Sequence, residues 1–307
     1  MPGSRDTPAR AAPTAAVPSR IGVVVHPTRD IDEPLSALRR WSSDHGVQLV
    51  QIVIAGQDRR VAQEGDAADC ELLVAIGGDG TMLAAIRAGA VAGRPALGVA
   101  AGSLGALAGV TLADVAQALD RFSRGDWVPR RLPGLDVTCD GGPSLFAIND
   151  IAIGRAGGGQ VRITAALDGE LFARFAGDGC IVSTPVGSSA YSLSAGGPLL
   201  ALDAYAFLLT PLPSHGGSVP PLVADGDATL ELTVSIGYSR ARLEVDGQES
   251  GGEAGSMTVR LRDGVATSVR FEDQEPFISG LRRRQIIVDS PRILAEGVEA
   301  PPGIKNS

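Results

Sequence analysis

The chain has 307 residues, 44% of them apolar and 20% charged, with 40 glycines. That length and mix suit a soluble protein of two compact domains rich in tight turns. A net charge of −8 argues against a nucleic-acid binder, which needs a basic face to displace counterions from phosphates. The only lysine is Lys305, so a phosphate held by the folded body must be met by arginine, backbone N–H groups, helix N-termini or a metal.

Met1 to Arg20 lacks the apolar stretch of a signal peptide and reads as a disordered tail. The β-branched run Ile21-Gly-Val-Val-Val25 predicts a strand buried on both faces, and Leu35, Leu38 and Trp41 carry helical spacing through Glu33 to His45. Val47 to Ala55 predicts a second strand, Leu72 to Ile76 a third, Met82 to Ala90 a helix, and Ala96 to Val99 a fourth strand. This alternation implies a parallel sheet whose ligands sit beyond the carboxyl ends of the strands.

After Val128-Pro-Arg-Arg-Leu-Pro133 the pattern changes to short alternating strands with Asp-Gly turns at Asp168-Gly169, Asp225-Gly226, Asp246-Gly247 and Asp263-Gly264. The fold class is therefore an α/β N-terminal domain with a parallel sheet plus a C-terminal β-rich, sandwich-like domain. The expected organisation is a tail over 1–20, an α/β domain over 21–129 and a β-rich domain over 130–275. A C-terminal segment over 276–307 is expected to return to the first domain. Cys70, Cys139 and Cys180 form no C-x-x-C pair, which fits reduced thiols in a cytoplasm. No apolar run reaches membrane-spanning length.

The sharpest local feature is Gly77-Gly78-Asp79-Gly80-Thr81, between an apolar strand and a helix. Glycines let backbone N–H groups approach a phosphate, and the following helix turns its positive end toward the same place. Asp79 is then either a helix cap or a catalytic carboxylate beside a hydroxyl nucleophile. A second loop, Gly177-Asp178-Gly179, leads through Cys180-Ile-Val182 to Ser183-Thr-Pro-Val-Gly-Ser-Ser-Ala-Tyr191, a run of small hydroxyl residues. That run suits either a wall along a dinucleotide, with Tyr191 available for stacking, or a polar turn with helix caps.

Three motifs in order, Gly77-Gly-Asp-Gly-Thr81, Leu97-Gly-Val-Ala-Ala-Gly-Ser-Leu-Gly105 and Asn149-Asp150, and then the long run from Gly177 to Pro198, resemble the NAD kinase family in spacing over about Ile21 to Phe277. The resemblance implies a site in the interdomain cleft, transfer of the ATP γ-phosphate to the 2′-hydroxyl of the adenosine ribose of NAD(H), Mg²⁺ or another divalent metal, and a homodimer or homotetramer. Polyphosphate is the alternative donor. Carried over residue by residue, Asp79 is the base, and Gly77, Gly78, Gly80 and Thr81 meet phosphate. Asn149 and Asp150 hold the adenosine portion, and Asp178, Val186, Ser189, Ala190, Tyr191, Ser194 and Gln248 complete the dinucleotide pocket, which Asp79 and Gly80 also face.

The chain departs from the family pattern at Ala100 and Ala106, where Asn and Phe are usual, at Asp150, which replaces Glu, and at Ala176 and Pro220, where basic residues are common. Such changes suit a remodelled pocket, so a kinase for a lipid or another nucleotide, or a silent dinucleotide binder, are the rival readings. No G-x-x-x-x-G-K-[ST] loop, G-x-S-x-G elbow or H-x-x-x-H pair occurs. Gly157-Gly158-Gly159 reads as a hairpin turn, His215 as structural, and Arg282-Arg283-Arg284 as a solvated face.

Overall fold

A computed structural model describes residues 15–54, 57–102, 105–236, 240–253 and 255–297. Most of the expected tail, Ala55 of the second strand, Ser103-Leu104 of the glycine-rich segment, and the chain from Val298 lie outside the described residues. The described chain divides into two compact units, one running to Arg130 and resuming at Ser268, the other spanning Arg131–Thr267.

The first unit begins with β1 (Arg20–Val25), α1 (Asp32–Asp44), β2 (Gln48–Gln51), β3 (Leu72–Gly77), α2 (Asp79–Ala92), β4 (Pro95–Ala100) and α3 (Val115–Ser123). Its strands run parallel in the order β2-β1-β3-β4, with Val23 opposite Val74 and Val74 opposite Leu97. Every residue of β3 is buried, as a strand covered on both faces requires. Leu38 and Trp41 of α1 and Leu119 and Phe122 of α3 share one core with these strands, and the Trp41 indole N–H donates to Asp120 at 2.7 Å. Helix α3 has apolar residues at Val115, Ala118, Leu119 and Phe122, the spacing of a one-sided helix, although it was not among the expected elements.

Strand β2 is shorter than the run Val47 to Ala55 predicts. The chain turns away after Gln51, whose side chain donates to the Arg59 carbonyl and accepts from the Val61 N–H, at 2.7 and 2.8 Å. Helix α2 starts at Asp79, ahead of its apolar pattern, with Gly78 as N-cap.

The second unit follows with β5 (Val128–Cys139), β6 (Leu145–Ala147), β7 (Asp150–Ala156), β8 (Val161–Leu167), β9 (Glu170–Gly177), β10 (Gly179–Ser183), the single turn α4 (Tyr191–Ser194), β11 (Ala206–Pro211), β12 (Leu222–Asp225), β13 (Thr229–Ile236), β14 (Arg240–Val245), β15 (Gln248–Glu253) and β16 (Met257–Arg270). One antiparallel run is β16-β13-β8-β9, with β5 on β16 and β6 on β5; the other sheet is β12-β11-β10-β7-β14-β15. Ile163, Leu230 and Val259 from the first and Ile153, Val182 and Leu209 from the second meet in a common core. The last residues of β16 return the chain to the first unit, where α5 (Phe277–Arg283) and α6 (Pro291–Glu296) end the described chain.

Two of the four Asp-Gly pairs close hairpins. Asp168 and Gly169 (φ 52° and 80°) join β8 to β9, and Asp246 and Gly247 (φ 50° and 74°) join β14 to β15. Asp225-Gly226 instead links strands of different sheets, and Asp263-Gly264 lies inside β16. Among the described residues, no helix is long and apolar enough to cross a membrane.

Candidate active site

Strand β3 delivers Gly77 and Gly78 to the start of α2, where no side chain caps the helix. Asp79 does not turn back to cap it. Its carboxylate faces the chain after β4, accepting the Ala106 N–H on Oδ2 at 3.1 Å and the Leu107 and Ala108 N–H groups on Oδ1 at 2.9 and 3.4 Å. Arg284, at the end of α5, donates to Oδ2 at 2.7 Å. An anion near Gly78 to Thr81 would therefore meet uncapped helix N–H groups, with a fixed carboxylate beside it.

The departures from the family pattern at positions 100 and 106 leave this arrangement intact. Ala106 serves Asp79 through its backbone N–H, which the Phe usual at this position would equally supply, and Ala100 is a buried residue at the end of β4. Thr81 is buried under the turn, and Gly80 is exposed beside it.

A second cation stands over the turn. The His26 Nδ1 atom accepts the N–H groups of Thr28 and Arg29 at 3.2 and 3.0 Å, which shapes the chain leaving β1. Burial, then Arg29 and Arg59, lower the His26 pKa, in keeping with a neutral ring whose Nδ1 lone pair is in use. The Arg29 guanidinium lies across Gly78, close enough that a Cβ there would sit 3.2 Å from Nη1. Beside it opens a pocket of about 370 Å³ lined by Arg29, Glu33, Ala100 and Ala101, among others.

In the second unit, Asp246 organises the expected adenosine residues. Its carboxylate accepts N–H bonds from Ile148 (3.1 Å), Asn149 (2.7 Å) and Asp150 (3.3 Å). Thr184 holds the facing segment: its hydroxyl donates to the Ile148 carbonyl at 2.7 Å and accepts the Gly187 N–H at 3.1 Å. A Cβ at Gly187 would lie 2.1 Å from the Asn149 carbonyl oxygen, so the two segments touch only because residue 187 has no side chain. Among the described residues, Asn149 Oδ1 is a buried acceptor with no partner, a position for an incoming donor. Asp150 is buried, and its pKa is pushed up to about 7 by desolvation, then by Asp246 and Glu244.

The remaining predicted residues divide by position. Val186 is buried, Ser189 donates to the Val186 carbonyl at 3.2 Å, and Ala190 and Ser194 belong to the same turn, with Ser194 donating to the Ala190 carbonyl at 3.4 Å. Tyr191 is exposed at its edge and Gln248 is exposed just past the β14–β15 turn. Asp178 is not brought to this cluster. In the β7–β10 ladder Ser183 pairs with Asp150 and Gly179 with Gly154, so Asp178 lies at the opposite end, roughly 17 Å away at strand rise. There it pairs with Arg155 at 2.6 Å.

Sequence reasoning missed Arg29, Asp246 and Arg284. Arg29 follows the carboxyl end of a parallel strand, which is a usable signal. In the sequence Asp246 has only the marks of a turn residue, and Arg284 only those of surface charge. Neither carries a local sign of the partner it meets.

An α/β unit that ends a buried parallel strand in Gly-Gly-Asp-Gly, together with a β-rich unit holding a hydroxyl-lined turn, defines a nucleotide-binding protein of two-unit architecture. Residues 17–127 match the ATP-NAD kinase N-terminal domain and residues 148–270 the ATP-NAD kinase C-terminal domain. The chain is 37% identical over 244 residues to the NAD kinase of Acidobacterium capsulatum, covering 75% of this chain and 85% of that one. It is 40% identical over 183 residues to the NAD kinase of Heliobacterium modesticaldum, covering 58% of this chain and 65% of that one. The crystal structure of yeast NADH kinase complexed with NADH shares its fold, with a TM-score of 0.74 at 21% identity over 89% of each chain. The chain belongs to the NAD kinase family.

Proposed function

We propose that this chain is an NAD kinase that transfers the γ-phosphate of ATP to the 2′-hydroxyl of the adenosine ribose of NAD(H), giving NADP(H). The observation that carries the reading is the orientation of Asp79. A capping aspartate would fold back onto its own helix, whereas this one is held away from it by three backbone N–H groups, which leaves the helix N-terminus to an anion.

In this reading the backbone N–H groups of Gly77, Gly78, Gly80 and Thr81 meet the donor's phosphates. Asp79 takes the proton of the 2′-hydroxyl as its oxygen attacks phosphorus. Asn149 Oδ1 and Asp150 hold the adenosine portion. Val186, Ser189, Ala190 and Tyr191, with Ser194 and Gln248, form the remaining wall, and Asp178 meets the distal part of the dinucleotide. Family membership and the yeast relative's bound NADH support the acceptor; the ATP-NAD kinase domains support the donor.

Mg²⁺ bound to the nucleotide would screen the phosphate oxygens. The reading further includes a homo-oligomer and a cytoplasmic setting, the latter supported by three free cysteines.

The test incubates purified protein with ATP, Mg²⁺ and either NAD or NADH and follows NADP(H) with a coupled dehydrogenase. Turnover is expected with a dinucleotide acceptor and is expected to fall about 10²–10⁴-fold in Asp79→Asn. Wild-type rates in that variant, or turnover only with a non-dinucleotide acceptor, would overturn the reading.

A further inference from the structure

We propose that Arg284 is a donor-phosphate ligand that exchanges between Asp79, where it keeps that carboxylate from acting as a base, and the phosphates of a nucleoside triphosphate. The proposal rests on the kinase reading above and adds a residue and a sequence of events to it.

The argument is a count of lone pairs. A carboxylate offers about four acceptor directions. In Asp79, Oδ1 accepts from Leu107 and Ala108, and Oδ2 from Ala106 and Arg284, so four donors occupy the group. A sugar hydroxyl can deliver its proton only to a direction that has been vacated. Three of the donors are backbone groups of one turn pressed against Asp79, with Gly105 so close that a Cβ there would lie 1.9 Å from Oδ1. Those donors cannot leave unless the turn moves. Arg284 can, because its side chain is long and one-third exposed, and rotation about its own bonds is enough.

Arg284 is also suited to phosphate. Its two neighbours are committed to acids of their own segment: Arg282 makes a two-pronged pair with Asp289 at 2.9 and 2.7 Å, and Arg283 pairs with Glu275 at 3.0 Å. These pairs fix the end of α5 and leave Arg284 as the arginine of the three that reaches the glycine turn. The sequence has no lysine before Lys305, so arginine must supply the side-chain cation for a phosphate there. A guanidinium binds a phosphate in a fork, and the more highly charged phosphate competes well against one carboxylate oxygen.

The exchange couples donor binding to base activation. The phosphate takes the Arg284 guanidinium and Oδ2 of Asp79 is released. The 2′-oxygen then bonds to the γ-phosphorus, the bond from that phosphorus to the β,γ-bridging oxygen breaks to release ADP, and the hydroxyl proton passes to Oδ2.

The test measures equilibrium binding of a non-hydrolysable β,γ-imido ATP analogue with Mg²⁺, without dinucleotide, by calorimetry. Full-length wild type, Asp79→Asn, Arg284→Gln and the double variant are compared, and melting curves verify folding. Arg284→Gln should weaken binding about tenfold or more, with partial recovery in Arg284→Lys. Asp79→Asn should tighten binding several-fold by freeing Arg284, and this gain should vanish in the double variant. An equal gain in both backgrounds would mean only that a negative charge had been removed, and it would overturn the proposal. So would an Arg284→Gln protein that binds like wild type. If Arg284→Gln does not fold, Arg284→Met, which keeps the stem and removes the charge, is measured alone and with Asp79→Asn and decides by the same criteria. None of these readouts uses turnover, so a protein that binds as described yet fails to phosphorylate NAD(H) would overturn the kinase reading separately.

Discussion

Gly105 and Asp79 are in such close contact that a single methyl group at residue 105 would lie 1.9 Å from the Asp79 Oδ1 atom. The carboxylate therefore reaches the N–H groups of residues 106–108 only past a residue without a side chain.

Gly105→Ala should displace Asp79 without removing it. Steady-state assay is expected to show kcat lowered by about 10²–10⁴-fold, the contribution typical of a general base, with KM for the dinucleotide changed much less. A kcat within threefold of wild type would show that the carboxylate does not need this seat.

Much of this geometry was legible in the sequence, and the limits have physical causes. The apolar run Leu72 to Ile76 followed by glycines announces a buried strand and a glycine turn leading into a helix, and both are present. The direction taken by the Asp79 side chain could not be read, because it depends on N–H groups from residues 106–108 and on Arg284, 205 positions away. Local patterns see charge but not its partner, so three adjacent arginines look like solvated surface, whereas each forms an ion pair. The Asp-Gly pairs show the same limit. The dipeptide permits a tight turn, but strand pairing decides whether a hairpin forms, and Asp263-Gly264 is absorbed into β16. Asp178 shares a motif with Ser183 in sequence, yet an extended strand carries it away from Asp150.

Asp150 gives a pH signature of unusual sign. Its pKa is raised from 3.8 to about 7 by burial, Asp246 and Glu244, so the folded protein retains a proton that the unfolded chain has already lost. Stability therefore falls as pH rises from about 4 to about 7 and stays low above that, by a contribution on the order of 4 kcal/mol. Asp150→Asn removes the charge, and its melting temperature should exceed wild type by several degrees at pH 8 and match it near pH 4. Parallel pH profiles for the two proteins would refute this account.

His26 predicts the opposite trend in acid. Its lowered pKa means that the folded state resists a proton the unfolded chain accepts, so its contribution is complete above the ordinary value of 6.5 and is lost as pH falls through that value toward the folded pKa. His26→Ala should cost about 1–2 kcal/mol at pH 7.5, since two backbone N–H groups lose their acceptor. Asn carries an oxygen where His carries Nδ1, so His26→Asn should recover most of that loss in denaturant titrations. Equal losses in the two variants would assign the effect to packing instead.

Thr184 separates two roles that the hydroxyl-rich run could serve. Its side chain is fully buried and makes two hydrogen bonds, one to the Ile148 carbonyl and one from the Gly187 N–H, so it cannot contact a ligand. Its influence on the dinucleotide must pass through Asn149 and Asp150, whose segment it fastens to the turn beginning at Pro185. Thr184→Val keeps the shape and removes both bonds, leaving a buried carbonyl and a buried N–H unpaired, at an expected cost of about 2–4 kcal/mol in urea titrations. Because the loosened segment holds Asn149 rather than the glycine turn of the first unit, KM for NAD(H) should rise several-fold while KM for ATP stays within twofold. If both constants rise together, Thr184 supports the fold as a whole and has no particular hold on the adenosine residues.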